Sequence, residues 1–171
     1  GHAMQSAWVV DDLLQATLHW NQCGVGPFFV SEYGPEVFER STYRGLSAPI
    51  SMKTALAQAG DIQIELIEPL GDFPNIYRDI VPVGKTGFHH ICFWTQDIDA
   101  DIRNYCNRGF EIASSGQVGP EGAKFAYLDT SQTLGHMTEL LTYSRSLADA
   151  FEQISEAASN WDGSQPIRQL R

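Results

Sequence analysis

The chain has 171 residues, 43% of them hydrophobic and 19% charged, with a formal net charge of −10. That length fits one domain or two small modules sharing a core, and the balance excludes wholesale disorder. The acidic surplus argues against nucleic acid and anionic membrane as partners, because both are held by basic patches and the 11 Lys and Arg form no cluster.

In chain order, Gly1-His2-Ala3-Met4 reads as an expression scar and is set aside. "SAWVV" is β-branched and aromatic, a strand; "DDLLQATLHW" then turns helical, with Leu13, Ala16, Thr17 and Trp20 on one stripe. Asp12 stands where an N-cap belongs and Gly24 where the helix should stop. Strands are expected over 28–31, 36–43, 50–56 and 62–68, completing a first βαβββ module over 5–69. Residues 70–87, with Pro74, Pro82, Gly84 and Gly87, read as a linker carrying a short helix near "NIYRDI".

"HICFWT" is a second strand, and "QDIDADIRNYCNRG" a second helix with Ile98, Ile102 and Tyr105 at helical spacing, Asp97 as cap and Gly109 as stop. Strands over 111–117, 124–129 and 136–142 complete a second module over 88–143. Over 145–160, Leu147, Phe151, Ile154 and Ala158 share one face, an amphipathic helix for docking on a sheet or a second subunit. Residues 161–171 form a tail, expected to fray after Asn160. Cys23, Cys92 and Cys106 lack metal-ligand spacing and read as reduced core thiols. No apolar run is long enough to span a bilayer, so the expected location is the cytoplasm.

The two halves repeat. Asp12 and Asp97, Trp20 and Tyr105, and Gly24 and Gly109 are each 85 residues apart. The same offset pairs Gln5 with His90, each read as the first residue of its module's strand. The last strands, "IQIELIEPL" and "GHMTELLTY", each hold a Glu before two aliphatics, Glu65 and Glu139. Side chains alternate along a strand, so Ile62, Ile64 and Leu66 face a helix while Glu65 faces the other way. By the same alternation His90, Cys92 and Trp94 turn inward, and His89, Ile91 and Phe93 outward. If a pseudo-twofold axis relates the halves, one imidazole, two carboxylates and one amide oxygen converge. Such an N,O-rich set suits zinc, nickel, cobalt or manganese.

The duplicated βαβββ pattern, with "QSAWVVDDL", "IELIEP", "GFHHICFWTQDID" and "HMTELL", resembles the vicinal oxygen chelate superfamily. That group includes glyoxalase I, methylmalonyl-CoA epimerase, extradiol dioxygenases and metal-free bleomycin-resistance proteins. The resemblance runs over residues 5–142 and implies an α+β fold. Two modules would form a cup-shaped half-barrel of mixed sheet, with helices outside and the C-terminal helix added. The family's metal positions fall on Gln5, Glu65, His90 and Glu139, the ligand set of eukaryotic glyoxalase I. Extradiol dioxygenases need two His and one Glu for iron, so that chemistry is disfavoured.

The implied function is that of a metal-dependent isomerase, epimerase or lyase. It would transfer a proton next to the carbonyl of a small molecule, an acyl thioester or a hydrophobic carbonyl compound, through an enediolate. Glu139 is the first candidate base and Glu65 the second. The alternative is a metal-free binding protein or isomerase using the same cup as a hydrophobic pocket. A homodimer is the quaternary state the family suggests. Tyr43, Arg44, Cys92 and Trp94 are the expected pocket residues, with "GPEVFERSTYRG" lining it for a larger, partly apolar substrate. Arg44, Lys53 and Lys124 are the candidates to anchor an acidic or CoA-type tail.

Overall fold

The computed structural model describes residues 2–169. Its strands are β1 (Ala3–Val9), β2 (Phe28–Tyr33), β3 (Phe38–Tyr43), β4 (Leu46–Ser47), β5 (Met52–Ala59), β6 (Ile62–Pro69), β7 (Gly87–Thr95), β8 (Ile112–Val118), β9 (Lys124–Leu128), β10 (Met137–Thr142) and β11 (Ile167–Arg168). The helices are α1 (Leu13–Gln22), α2 (Ile98–Cys106), α3 (Ser131–Leu134) and α4 (Arg145–Ser159). All described strands join one open mixed sheet in the order β11-β2-β5-β6-β1-β7-β10-β9-β8-β3-β4. β1 and β7 run antiparallel at its centre, flanked by parallel β6 and β10, so the two βαβββ halves meet back to back.

The expected punctuation holds. The Asp12 side chain accepts from the Gln15 amide and that of Asp97 from the Ala100 amide, each at 2.9 Å, so both helices begin with a satisfied N–H. Gly24 and Gly109 close the helices at φ +85° and +89°, a left-handed conformation that side chains disfavour. Alternation also holds on the outer face. Ile64, Leu66, Ala55 and Ala57 pack under α1 with Leu13 and Phe28, while Ala126, Leu128 and Leu140 pack under α2 with Ile98. Full burial of a side chain such as Leu66 or Phe28 stabilises by roughly 1.5–3 kcal/mol.

Four features depart from the sequence reading. β1 starts at Ala3, which pairs with Phe93, and Met4 is buried, so these two of the four residues set aside as a scar extend the central strand; Gly1 lies outside the described residues. Gln5 and His90 are accordingly interior to their strands. The β3–β4 hairpin leaves its own half: β3 pairs with β8 at the far rim, and the turn Pro35–Val37 carries the chain across the mouth from β2. The tail beyond Asn160 is not frayed through Arg168. The Phe28 amide donates to the Pro166 carbonyl at 2.8 Å, and Ile167 and Arg168 pair in parallel with Phe28 and Phe29 as a short edge strand.

Candidate metal centre

The register of the four central strands sets the floor of the cup. Glu65, Ala7, His90 and Met137 lie side by side on β6, β1, β7 and β10, and Gln63, Gln5, Cys92 and Glu139 form the neighbouring row. Each row holds one carboxylate at the opposite end from the other, with a small residue, Ala7 or Cys92, between it and His90 or Gln5. The pattern is that of a twofold axis running between β1 and β7. One ligand atom from each of Glu65, His90 and Glu139 lies within 4.8 Å of the others. The Gln5 amide nitrogen donates to Gln63 Oε1 at 2.7 Å, so its oxygen is the end left for the cup it lines.

His89 is the largest correction at this site. Strict alternation turns it outward, yet it is fully buried beside His90. The cause is a β-bulge: Ala7 pairs with His90 and Trp8 with Phe88, leaving His89 as the extra residue. A bulge turns two successive side chains toward one face. The ring of His89 lies 5.3 Å from that of Tyr77 and 5.9 Å from that of Tyr127.

The bonds of this pair assign the tautomers. His89 Nε2 contacts the Ile76 carbonyl oxygen at 3.1 Å, and a carbonyl only accepts, so His89 Nε2 carries a proton. Burial, then the charge of His90, drive His89 down to about 3, so the ring is neutral and its Nδ1 is an acceptor. The Nδ1 atoms of the two rings are 2.9 Å apart, so His90 Nδ1–H donates to His89. His90 Nε2 therefore points its lone pair, or a second proton, at the carboxylates.

Among the described residues that nitrogen is buried without a well-aligned hydrogen-bond partner, although Glu139 and Glu65 oxygens stand 3.0 and 3.5 Å away. Three donors thus converge on a point between them, as ligands of a cation do. Burial opposes an imidazolium here, but Glu139 and then Glu65 outweigh it and push His90 up to about 9. Burial also lifts the Glu65 carboxyl, with His90 pulling the other way and Glu139 adding to the rise.

Above the floor is a cavity of about 380 Å³. Its walls include Met52, Leu56, Phe125, Leu141 and Val118, and α4 covers it with Leu147, Ala150 and Phe151. The C-terminal helix therefore docks on the sheet of its own chain, against β5. Tyr77 and Tyr127 also line the cup, and the alternation and repeat arguments selected neither. Tyr127 was readable, since it shares β9 parity with Phe125. Tyr77 sits in the linker, in a 3-10 turn over Ile76–Asp79 capped by Asn75, and only its burial reveals it.

The expected pocket residues fall elsewhere. Tyr43 donates to Asp79 at 2.6 Å, and Arg44 clasps Asp79 and Asp129 at 2.6 and 2.7 Å, pinning the exported hairpin to the linker and the second half. Neither lines the cavity; Phe38 is the β3 residue that does. Cys92 is fully buried in the floor, its thiol pushed up by burial and then by Glu139. Trp94 stands behind the lid, packed on Tyr143 and Phe151. Lys53 pairs with Glu68 at 3.4 Å on the outer face, and Lys124 alternates outward beside inward-facing Phe125.

The residues fit a divalent ion. The donor set is nitrogen and oxygen without thiolate, two carboxylates match a double positive charge, and the unbonded His90 Nε2 is aimed between them.

The family model of the Glyoxalase/Bleomycin resistance protein/Dioxygenase superfamily matches residues 4–127. No curated protein matches in sequence. Among solved structures, methylmalonyl-CoA epimerase from Mycobacterium tuberculosis is similar at 19% identity and a TM-score of 0.58, over 86% of this chain and 91% of that one. The Streptomyces coelicolor methylmalonyl-CoA epimerase in complex with 2-nitronate-propionyl-CoA is similar at 20% identity and 0.58, over 84% and 98%. A hypothetical protein from Bacillus halodurans matches at 18% identity and 0.57, over 84% and 95%.

Proposed function

The chain belongs to the Glyoxalase/Bleomycin resistance protein/Dioxygenase superfamily, and from that premise we propose that it is a metal-dependent isomerase, epimerase or lyase. It moves a proton next to the carbonyl of a small molecule. The observation that carries this reading is the buried Nε2 of His90, unbonded and facing the Glu65 and Glu139 carboxylates at the foot of an apolar cavity. Glu65, His90 and Glu139 would hold the ion, with the Gln5 oxygen as fourth donor. A divalent ion so held supplies Lewis-acid stabilisation of the negative charge that appears on oxygen when the adjacent carbon loses its proton.

The chain's own groups do the rest. Glu139 takes the proton, and Glu65, on the opposite flank of His90, returns it. A carboxyl lifted by burial is suited to holding a proton between two transfers. His89 keeps the His90 ring oriented, and α4 excludes water from above. The similarity of the fold to methylmalonyl-CoA epimerases supports proton transfer beside a carbonyl as the reaction class.

The test joins titration calorimetry with zinc, nickel, cobalt or manganese to solvent exchange of the α-protons of small carbonyl compounds in deuterated water. The expected result is one ion per chain and exchange that Glu139→Gln abolishes. Failure of all four ions to bind refutes the metal centre and leaves the cup as a metal-free pocket.

A further inference from the structure

Building on the reading of the floor as a metal centre, we propose that the substrate is an uncharged carbonyl compound bearing an aromatic or alicyclic ring. Anionic compounds, coenzyme A thioesters included, are rejected by the cup. The ring is argued from one wall. Tyr33, Phe38, Phe125, Tyr127 and Tyr77 form an unbroken edge-to-face series from rim to floor, with successive ring centres 6.1, 6.1, 6.0 and 6.2 Å apart. All five line the cavity. Such a series offers successive ring edges and faces to a flat apolar guest, and edge-to-face or offset stacking adds to what burial alone contributes. Met52, a side chain that adapts to irregular shapes, lies beside it.

Neutrality is argued from charge. Among the described residues no Lys or Arg lines the cavity, whereas Glu65, Glu139 and Glu121 do. The cations next to lining residues point elsewhere: Lys53 pairs with Glu68 outside the sheet, Arg78 reaches toward Asp11 at 3.8 Å, and Lys124 alternates outward beside Phe125. Arg145, between the lining residues Ser144 and Ser146, turns out to Asp149 at 2.8 Å. A divalent ion would balance the two floor carboxylates and leave no surplus positive charge for an anionic tail. A substrate carboxylate or phosphate would leave water for a wall without a counter-charge, which is strongly unfavourable. The volume, about 380 Å³, is near the small end of the roughly 300–1,000 Å³ of ligand pockets and suits a compact ring compound.

Three probes test this by calorimetry on the whole chain, with chelator and again with zinc. They are phenacyl alcohol (a ring bearing a neutral hydroxyketone), its para-carboxylate, and propionyl-CoA. The expected result is binding of phenacyl alcohol and at least about tenfold weaker binding of the two anions in both conditions. Leu147→Lys, which adds a cation to the lid, should close most of the gap for the para-carboxylate; Val118→Lys at the rim replaces it if the lid variant does not fold. Equal or tighter binding of either anion to the unaltered chain overturns the proposal, and so does failure of phenacyl alcohol to bind at its solubility limit. Zinc failing to bind while the preference persists refutes only the metal centre.

Discussion

The two halves of the molecule carry one backbone plan and solve one chemical problem differently. In the first, Gln5 is steadied by a neighbour on the adjacent strand, Gln63, whose oxygen accepts from its amide. The equivalent neighbour of His90 is Met137, an apolar residue beside it in the sheet register. The second half therefore finds its support along its own strand, in the bulged His89. The Gln63–Met137 and Glu65–Glu139 pairs are each separated by 74 residues, against 85 for Gln5–His90, and the exported β3–β4 hairpin lies within the longer stretch of the first half. The repeated plan thus places the candidate ligands alike, while the groups that orient them differ between the halves.

If the second half dominates the site, the largest effect belongs to its nitrogen ligand. His90→Ala should weaken divalent-ion affinity by more than the roughly 10–100-fold typical of losing an orienting residue. Calorimetry on the folded variant checks it. Next in size, His89→Phe should lower affinity by roughly 10–100-fold at unchanged fold, and His89→Gln should recover much of that, because its oxygen accepts from His90 Nδ1–H. A loss in His89→Gln as deep as in His89→Phe would show that packing, not the hydrogen bond, is what His89 contributes.

A smaller change should come from making the halves alike. Gln5→His replaces an amide with an imidazole and should tighten zinc about tenfold, equivalent to about 1.4 kcal/mol. Unchanged affinity would remove Gln5 from the ligand set.

Removing the ion gives a separate comparison, the pH dependence of the chelator-treated protein. His90 is pushed up to about 9 when folded, from an unfolded value near 6.5, so its proton stabilises the fold fully below pH ~6.5. That stabilisation is lost as pH rises through about 9. His89 is pushed down to about 3, so its contribution is present above pH ~6.5 and falls away as pH drops toward 3. Tm should peak near pH ~6.5, and His90→Gln should flatten the alkaline limb.

Much of the fold was legible because it is local. Asp caps, Gly stops, helical stripes and strand alternation are properties of short segments, and the 85-residue repeat needed only counting. The ligand candidates followed from repeat, parity and family pattern together. Glu65, His90 and Glu139 do converge. The pocket walls were not legible. Tyr43 ended a segment correctly read as strand and Arg44 followed it in the turn, but that strand's partner was the other half's β8, and the two side chains went to Asp79 and Asp129.

By itself the sequence determined most of the elements, the duplicated plan and the shared inward face of Glu65, His90 and Glu139, since backbone periodicity and capping act over a few residues. Tertiary structure alone decided that His89 turns in behind His90, that Tyr77 rises from the linker into the cup, and that α4 lies over part of it. A bulge exists only relative to a partner strand, and a wall only when distant segments meet; neither leaves a periodic trace along the chain.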